Sequence, residues 1–279
     1  MACDAHAHPQ DLHHLFPDAE TERRTLRIAC AASSCTKEDF LFIEKMAVSA
    51  RNDNVAPVFL CFAIHPQLPA CLKKENTAPE NFGSSLEFLS ALVAGSRISA
   101  IGECGFDLYS QNFKETEAIQ EELFAVHLDI ARQYNLPVVL HVRRAMHKIF
   151  PYVKILKKLP AVVFHSWSGS PDEAFSLLHK GLPCFFSFGT PLLLNHKNAI
   201  QSCAALPFEH LLLETDTPYQ PLREKTYSTW QDMHPILEAA ATIRKTAGVK
   251  LGTEIAELEE IVDRTFFRIF NSAVPYGHI

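Results

Sequence analysis

Residues that can bind a metal ion stand at the ends of short apolar segments along this chain. His6 and His8 follow an apolar start, and Glu214 and Asp216 follow three leucines. Because side chains on a strand alternate between its two faces, each of these pairs points to one face. Three more candidates each end an apolar run: Glu103, His141 and His165. Imidazoles and carboxylates brought together from several strand ends are typical ligands of divalent metal ions. The pattern predicts a metal-dependent hydrolase.

The elements that would position these residues alternate between strands and helices. Apolar strand-like runs occur at about 2–8, 27–33, 57–65, 98–104, 137–143, 161–166, 184–189 and 210–216. Helical periodicity fills most gaps, most clearly at 115–134, 171–180 and 254–270. In a chain of 279 residues this alternation predicts an α/β fold, a (β/α)8 TIM barrel. A doubly wound open sheet is the alternative, but it would spread the candidate ligands along an edge, whereas a barrel gathers them at one mouth.

No repeat, low-complexity tract or linker divides the sequence, so we expect a single domain over 1–279 with its metal site at the C-terminal mouth of the strands. Hydrophobic residues make up 47% of the chain, enough for a large buried core. Cys3, Cys61, Cys104 and Cys184 lie in apolar runs and are expected to be small buried side chains, not disulfide partners.

Charge and targeting signals narrow the function classes. A net charge of −6 argues against a broad basic surface for nucleic acid, but it does not exclude a nuclease. Two divalent ions would supply positive charge where a phosphodiester binds. Neither a membrane-spanning stretch nor a signal peptide is recognised, so a cytoplasmic protein without membrane contact is expected. The sequence indicates no obligate protein partner.

None of these candidate ligands would by itself indicate a metal site. The prediction rests on the presence of six of them at the ends of five strands. His65 ends the third strand without an obvious metal partner, so a phosphate or substrate contact is preferred to a structural role. Arg143 follows His141 by two positions and suits a phosphate clamp, while Arg144 is expected to point elsewhere.

Together, the motifs around these residues resemble the TatD family of metal-dependent deoxyribonucleases. They span residues 4 to 219 in the family's order. The resemblance implies a TIM-type barrel of the wider amidohydrolase group. The segments that carry it are Asp4-Ala5-His6-Ala7-His8, Ile64-His65-Pro66, Ile101-Gly102-Glu103-Cys104-Gly105-Phe106-Asp107, Leu140-His141-Val142-Arg143, Phe164-His165-Ser166-Trp167-Ser168-Gly169 and Leu213-Glu214-Thr215-Asp216-Thr217-Pro218-Tyr219.

The resemblance also implies roles for individual residues. His6, His8 and Asp216 would hold one metal ion, His141 and His165 a second, and Glu103 would bridge the two. The cofactors would be two divalent ions per subunit, Mg, Mn or Zn, because the ligand types do not fix the metal. DNA would be the substrate, cleaved by a two-metal mechanism to a 5′-phosphate and a free 3′-hydroxyl. Glu103 and Asp216 are the catalytic candidates, with Asp216 as general base, and Glu214 is expected to lie behind the ligands.

Some positions depart from the family pattern. Ser166-Trp167-Ser168-Gly169 stands where the family usually has Cys-Phe-Thr-Gly, and Trp167 could stack on a base or fill the mouth. Arg223-Glu224-Lys225-Thr226 does not reproduce the family's Arg-Asn-Glu-Pro, and Ala63 replaces a usual glycine. No departure affects a metal ligand, so hydrolysis is expected while substrate preference stays open.

Two other functions compete with the deoxyribonuclease. One is a related barrel hydrolase that acts on another ester or amide, such as D-aminoacyl-tRNA deacylation. Glu103, at the position where a carboxylated lysine would stand, argues against the lysine-bridged amidohydrolases. The other is a non-enzymatic interaction protein on an inherited barrel, which would have lost ligands, whereas all six are present.

Overall fold

The computed structural model describes residues 2–74 and 82–271, which contain an eight-stranded parallel sheet in sequential strand order. All eight predicted strands are present, although several end sooner than the apolar runs do. The strands are β1 (Ala2–Ala7), β2 (Ile28–Ser34), β3 (Val58–Phe62), β4 (Ala100–Asp107), β5 (Val138–Arg143), β6 (Val162–Phe164), β7 (Cys184–Phe188) and β8 (Leu211–Leu213).

Helices lie between the strands and cover the outside of the sheet. The three helices predicted most clearly are found at 117–134, 171–179 and 255–270, and the second of them begins with a Ser170–Glu173 capping box. The helices are α1 (Pro9–Leu15), α2 (Ala19–Leu26), α3 (Lys37–Asn52), α4 (Leu68–Lys74), α5 (Gly83–Ala94), α6 (Gln111–Lys114), α7 (Glu117–Tyr134), α8 (Met146–Ile149), α9 (Val153–Leu156), α10 (Pro171–His179), α11 (Lys197–Ala205), α12 (Met233–Thr246) and α13 (Ile255–Phe270).

Two backbone hydrogen bonds join the first strand to the segment after the last one. Asp216 N donates to His6 O at 3.0 Å, and His8 N donates to Thr217 O at 2.8 Å. They bring both edges of the sheet together at the carboxyl ends of the strands. The fold is therefore a nearly closed (β/α)8 barrel, and the open-sheet alternative is wrong.

The amino-terminal end of the barrel is closed by α13. Phe266, Ile269 and Phe270 are buried and pack into the interior residues of the strands, with the ring centroids of Phe59 and Phe266 5.4 Å apart. This leaves the carboxyl ends of the strands as the mouth. The polar groups that the strands deliver therefore meet at the opposite end from this apolar plug.

The cysteine prediction is confirmed. Cys3, Cys61, Cys104 and Cys184 are free and buried, and burial raises the pKa of each thiol. None of the helices in the described ranges is both long and apolar enough to cross a membrane.

Candidate metal centre

The six predicted ligands lie together inside the mouth. His6, Glu103, His165 and Asp216 are buried, and His8 and His141 keep 13% of their side-chain surface exposed. They come from β1, β4 and β5 and from the residues that directly follow β1, β6 and β8. Glu103 stands between two groups of ligand atoms, one on each of its carboxylate oxygens.

The first group surrounds Glu103 Oε2. His6 Nε2 lies 3.2 Å from this oxygen and His8 Nε2 lies 3.6 Å from it. Asp216 Oδ1 is 3.6 Å from both imidazole nitrogens, which are 3.1 Å from each other. This is the ligand set that the resemblance implies for the first metal ion.

The second group surrounds Glu103 Oε1. His141 Nδ1 lies 2.5 Å and His165 Nε2 lies 2.6 Å from this oxygen, and the two nitrogens are 3.2 Å apart. These are the two histidines that the resemblance assigns to the second metal ion. Because each Glu103 oxygen faces a different group, its carboxylate has the placement of a bridging ligand.

The local backbone explains how Glu103 reaches this position. The β4–β5 register shifts between Gly102 and Cys104, which takes Glu103 out of the regular ladder. Gly105 has φ +134°, and a Cβ there would collide with the carbonyl oxygen of His141. The glycine thus permits the close approach of β4 to β5 that places Glu103 beside His141.

Carboxylates lie behind two of the imidazoles, and one of them is within hydrogen-bond distance. His141 Nε2 lies 3.1 Å from Asp107 Oδ2, so that nitrogen carries the proton and Nδ1 presents an electron pair to the centre. On His165, Nδ1 faces Glu214 Oε1 at 3.6 Å and Nε2 faces the centre. The prediction that Glu214 lies behind the ligands agrees with this geometry.

The charge balance of the cluster favours an ionised Glu103. Burial would raise its pKa, but His165, His65, His6 and His141 outweigh burial and hold the pKa well below its usual value. Burial would conversely lower the pKa of His165, and the Glu103 and Glu214 carboxylates instead raise it well above its ordinary value. The cluster thus stabilises positive charge around one buried carboxylate.

Asp216 adopts a left-handed backbone, with φ 54°, at the end of its strand. Its Oδ1 faces the first ligand group, and its Oδ2 accepts a hydrogen bond from Gln220 Nε2 at 2.5 Å. The same amide nitrogen donates to Ser166 Oγ at 2.8 Å. Gln220 therefore fixes the orientation of the predicted general base.

His65 lies closer to the cluster than the sequence indicated. Its Nε2 is 3.2 Å from Glu103 Oε1, a contact that the sequence did not indicate. Its Nδ1 accepts a hydrogen bond from the Gln67 backbone N–H at 3.1 Å. The proton must then sit on Nε2, which makes His65 a hydrogen-bond donor at the centre.

Arg143 lies at the exposed rim of the mouth. Its guanidinium carbon is 3.8 Å from the centroid of the Tyr109 ring, and that of Arg144 is 4.6 Å from the same centroid. The prediction that Arg144 points elsewhere is wrong, because its left-handed backbone, φ 54°, brings its side chain to the same ring.

Trp167 fills the wall of the mouth. Its side chain is 3% exposed, packs edge-on against Phe186 and donates from Nε1 to Ser202 Oγ at 3.1 Å. Gly169 passes so close to the indole that a Cβ there would collide with it. With so little exposed surface, the ring offers no face for base stacking, and the packing alternative is the one that fits.

Three residues at the site were missed as functional candidates. Asp107 shares strand parity with Glu103, so the alternation rule could have found it, and likewise Asp4 with His6. Asp4 is fully buried and accepts from Thr215 Oγ1 at 2.6 Å, and burial raises its pKa to about 8. Gln220 carries no comparable signal, because its contact depends on a loop conformation.

The donor set fits divalent ions. The two imidazole nitrogens lie 2.5 and 2.6 Å from Glu103 Oε1, so a proton or a cation must lie between each nitrogen and this oxygen. Nitrogen and carboxylate ligands with such supporting hydrogen bonds are typical of Zn, Mn and related ions. The fold and this centre define a metal-dependent hydrolase of the (β/α)8 barrel class.

The chain belongs to the TatD-related DNase family, whose model matches residues 3–271. An uncharacterised metal-dependent hydrolase from Mycoplasma pneumoniae is 34% identical over 65% of this chain and 69% of its own length. A 3′-5′ ssDNA/RNA exonuclease TatD from Yersinia pseudotuberculosis is 38% identical over 47% of this chain and 50% of its own length. Deoxyribonuclease Tat-D from Schizosaccharomyces pombe is 30% identical over 65% of this chain and 61% of its own length.

The fold agrees with that membership. A TatD homologue from Escherichia coli K12 superposes with a TM-score of 0.79 at 22% identity, covering 97% of this chain and 98% of the homologue. An uncharacterised amidohydrolase from Saccharomyces cerevisiae superposes with a TM-score of 0.73 at 15% identity, covering 97% of this chain and 100% of its own. The prediction of a TatD family hydrolase is confirmed, and the nuclease is supported over the alternative deacylase.

Proposed function

We propose that this protein is a divalent-metal-dependent deoxyribonuclease that cleaves phosphodiester bonds with two ions at the barrel mouth. The observation that carries the proposal is the division of the Glu103 carboxylate, with one oxygen facing each group of ligand atoms. The relatives named as nucleases support the choice of nucleic acid as substrate.

The residues fall into two ligand sets. His6, His8 and Asp216 would hold one ion, His141 and His165 the other, and Glu103 would contact both. When bound, such ions supply positive charge for the phosphate and the leaving oxygen and favour deprotonation of the attacking water. Mg, Mn and Zn are all compatible with these nitrogen and oxygen donors.

The side chains then have separate tasks. Asp216 accepts the proton of the attacking water, held in place by the Gln220 amide. His65 donates from Nε2, which suits a non-bridging phosphate oxygen of the substrate. Arg143 stays the candidate for a phosphate further along the strand, from the rim of the mouth.

The experiment is a cleavage assay of the purified full chain on single- and double-stranded DNA and on D-aminoacyl-tRNA, with Mg, Mn or Zn added. We expect DNA hydrolysis with products that carry a 5′-phosphate and a 3′-hydroxyl. Intact DNA under all three metals, together with hydrolysis of the aminoacyl ester, would establish the deacylase instead.

A further inference from the structure

A cavity opens beside the metal centre, between the ends of β5 and β6. Its volume is about 410 Å³, which lies in the roughly 300–1,000 Å³ range of small-ligand pockets. We call it the side cavity. Its wall includes His165, which it shares with the metal centre, and its other lining residues include Val142, Arg144, Met146, His147, Trp167 and Ser168.

The lining of the side cavity mixes apolar and polar groups, and two of the polar ones are basic. Val142, Met146 and the edge of Trp167 supply the apolar part, and Arg144 and His147 are the basic residues. The acidic residue of the lining is Glu173, and its carboxylate is already held by the N-terminus of α10, where Oε2 accepts from Ser170 N at 2.7 Å. The cavity therefore favours a group that has both apolar faces and polar edges and that carries an anion.

Arg144 connects the side cavity to the rim. It lines the cavity and also contacts the exposed ring of Tyr109, which the guanidinium of Arg143 contacts as well. In residues 2–74 and 82–271 neither guanidinium forms an ion pair with a carboxylate. Two arginines that contact one ring and have no carboxylate partner suit binding of phosphate groups.

We propose that the side cavity receives the nucleobase of one nucleotide next to the cleaved bond, and that Arg144 binds the phosphate on the outer side of that nucleotide. The inference rests on the proposed nuclease function and adds a subsite for the base. It makes the side cavity, and not a face of the buried Trp167 ring, the place where the enzyme contacts a base. Because Val142 and Met146 offer apolar contact that does not distinguish one base from another, the subsite tolerates different bases.

The test uses single-stranded DNA in which one nucleotide is abasic, on either side of the cleaved bond. For the wild-type protein kcat/KM should fall about tenfold when the missing base is the one that occupies the side cavity, and much less on the other side. The affected side also shows whether the 5′ or the 3′ nucleotide occupies the cavity.

Two variants connect this loss to the cavity. Ser168 is exposed and lines the cavity, so Ser168→Phe should occupy it, while Ser168→Ala is the matched control. The kcat/KM of Ser168→Phe should be about tenfold lower than that of the wild type on normal DNA. On the abasic strand that the wild type cleaves poorly, the two proteins should have the same kcat/KM. If Ser168→Phe also lowers kcat/KM about tenfold on the abasic strand, the assignment is wrong. It is also wrong if an abasic site on either side of the cleaved bond leaves the kcat/KM of the wild type unchanged.

A binding readout that does not depend on cleavage tests Arg144. For metal-free protein and single-stranded DNA, Arg144→Met should reduce the slope of log affinity against log salt by about one phosphate contact. Arg132→Met, on α7 where Arg132 pairs with Asp129, should leave the slope unchanged. An unchanged slope in Arg144→Met would refute the phosphate contact. DNA left intact by the wild type would instead refute the proposed function itself.

Discussion

The two ends of the barrel use the same eight strands for opposite purposes. At the amino end, the strands meet the apolar face of α13, and aromatic rings such as Phe59 and Phe266 pack edge-on. At the mouth, the same strands end in buried imidazoles and carboxylates around Glu103. Buried charged groups without partners lower the free energy of unfolding. The apolar packing at the amino end offsets that loss. The two ends should therefore respond differently to substitution.

The largest effect is expected for Asp216→Asn at the mouth. The change keeps the shape of the side chain and the Gln220 neighbour, but it removes the charge that accepts the proton of water. The rate of DNA cleavage should fall about 10²–10⁴-fold, with the thermal midpoint nearly unchanged. A metal-loaded variant that cleaves within about threefold of the wild type would assign the base to another group, with Glu214 the next to test.

At the amino end, Phe266→Ala should act on stability alone. The ring is fully buried against Phe59 and Phe270, so its removal should lower the free energy of unfolding by about 3–5 kcal/mol. Phe267→Ala on the same helix, where the ring is only partly buried, is the control and should cost less. Urea unfolding measures both, and a lowered kcat in the folded Phe266→Ala protein would contradict the separation of the two ends.

Gln220→Met is a smaller perturbation of the mouth. It preserves side-chain volume and removes the hydrogen bonds to Asp216 and Ser166. Because the amide orients a charged group, kcat should fall about tenfold while KM changes little. Gln231→Met, which breaks a surface contact with Glu22, is the matched control. Equal kinetics for both variants would show that Gln220 does not position the base.

The smallest effect is expected for Asp263→Asn near the amino end. Burial raises the pKa of Asp263 to about 6 from 3.8, so the folded protein retains a proton that the unfolded chain releases. As pH rises from about 4 through 6, ionisation of Asp263 therefore lowers the free energy of unfolding. Since the group is partly exposed, Asp263→Asn should gain only about 1 kcal/mol at pH 7.

Urea unfolding at pH 4 and at pH 7 checks that prediction, with Glu260→Gln as an exposed control on the same helix. The gain for Asp263→Asn should shrink at pH 4, where the carboxyl is largely protonated in the native protein. A gain that is the same at both pH values would contradict the raised pKa.

Much of both ends could be predicted from the sequence, because strand periodicity and strand-end ligands depend on neighbours along the chain. His6, Glu103 and Asp216 end apolar runs, and a barrel has one place where such ends meet. Contacts that depend on loop conformation could not be predicted in this way. Arg144 turns toward Tyr109 through a left-handed backbone, and Gln220 reaches Asp216 across a turn. The tautomer of His65 likewise depends on a backbone contact with Gln67 that no motif encodes.

Metal removal tests the central claim most directly. The full chain is treated with excess chelator, residual metal is quantified, and DNA hydrolysis is measured before and after Mg, Mn or Co is added back. Wild-type hydrolysis should disappear and return in part, and Glu103→Gln should retain the fold but lose at least one bound ion and its activity, because Glu103 faces both ligand groups. Undiminished hydrolysis by protein shown to be metal-free, or two bound ions with wild-type rate in Glu103→Gln, would contradict the account.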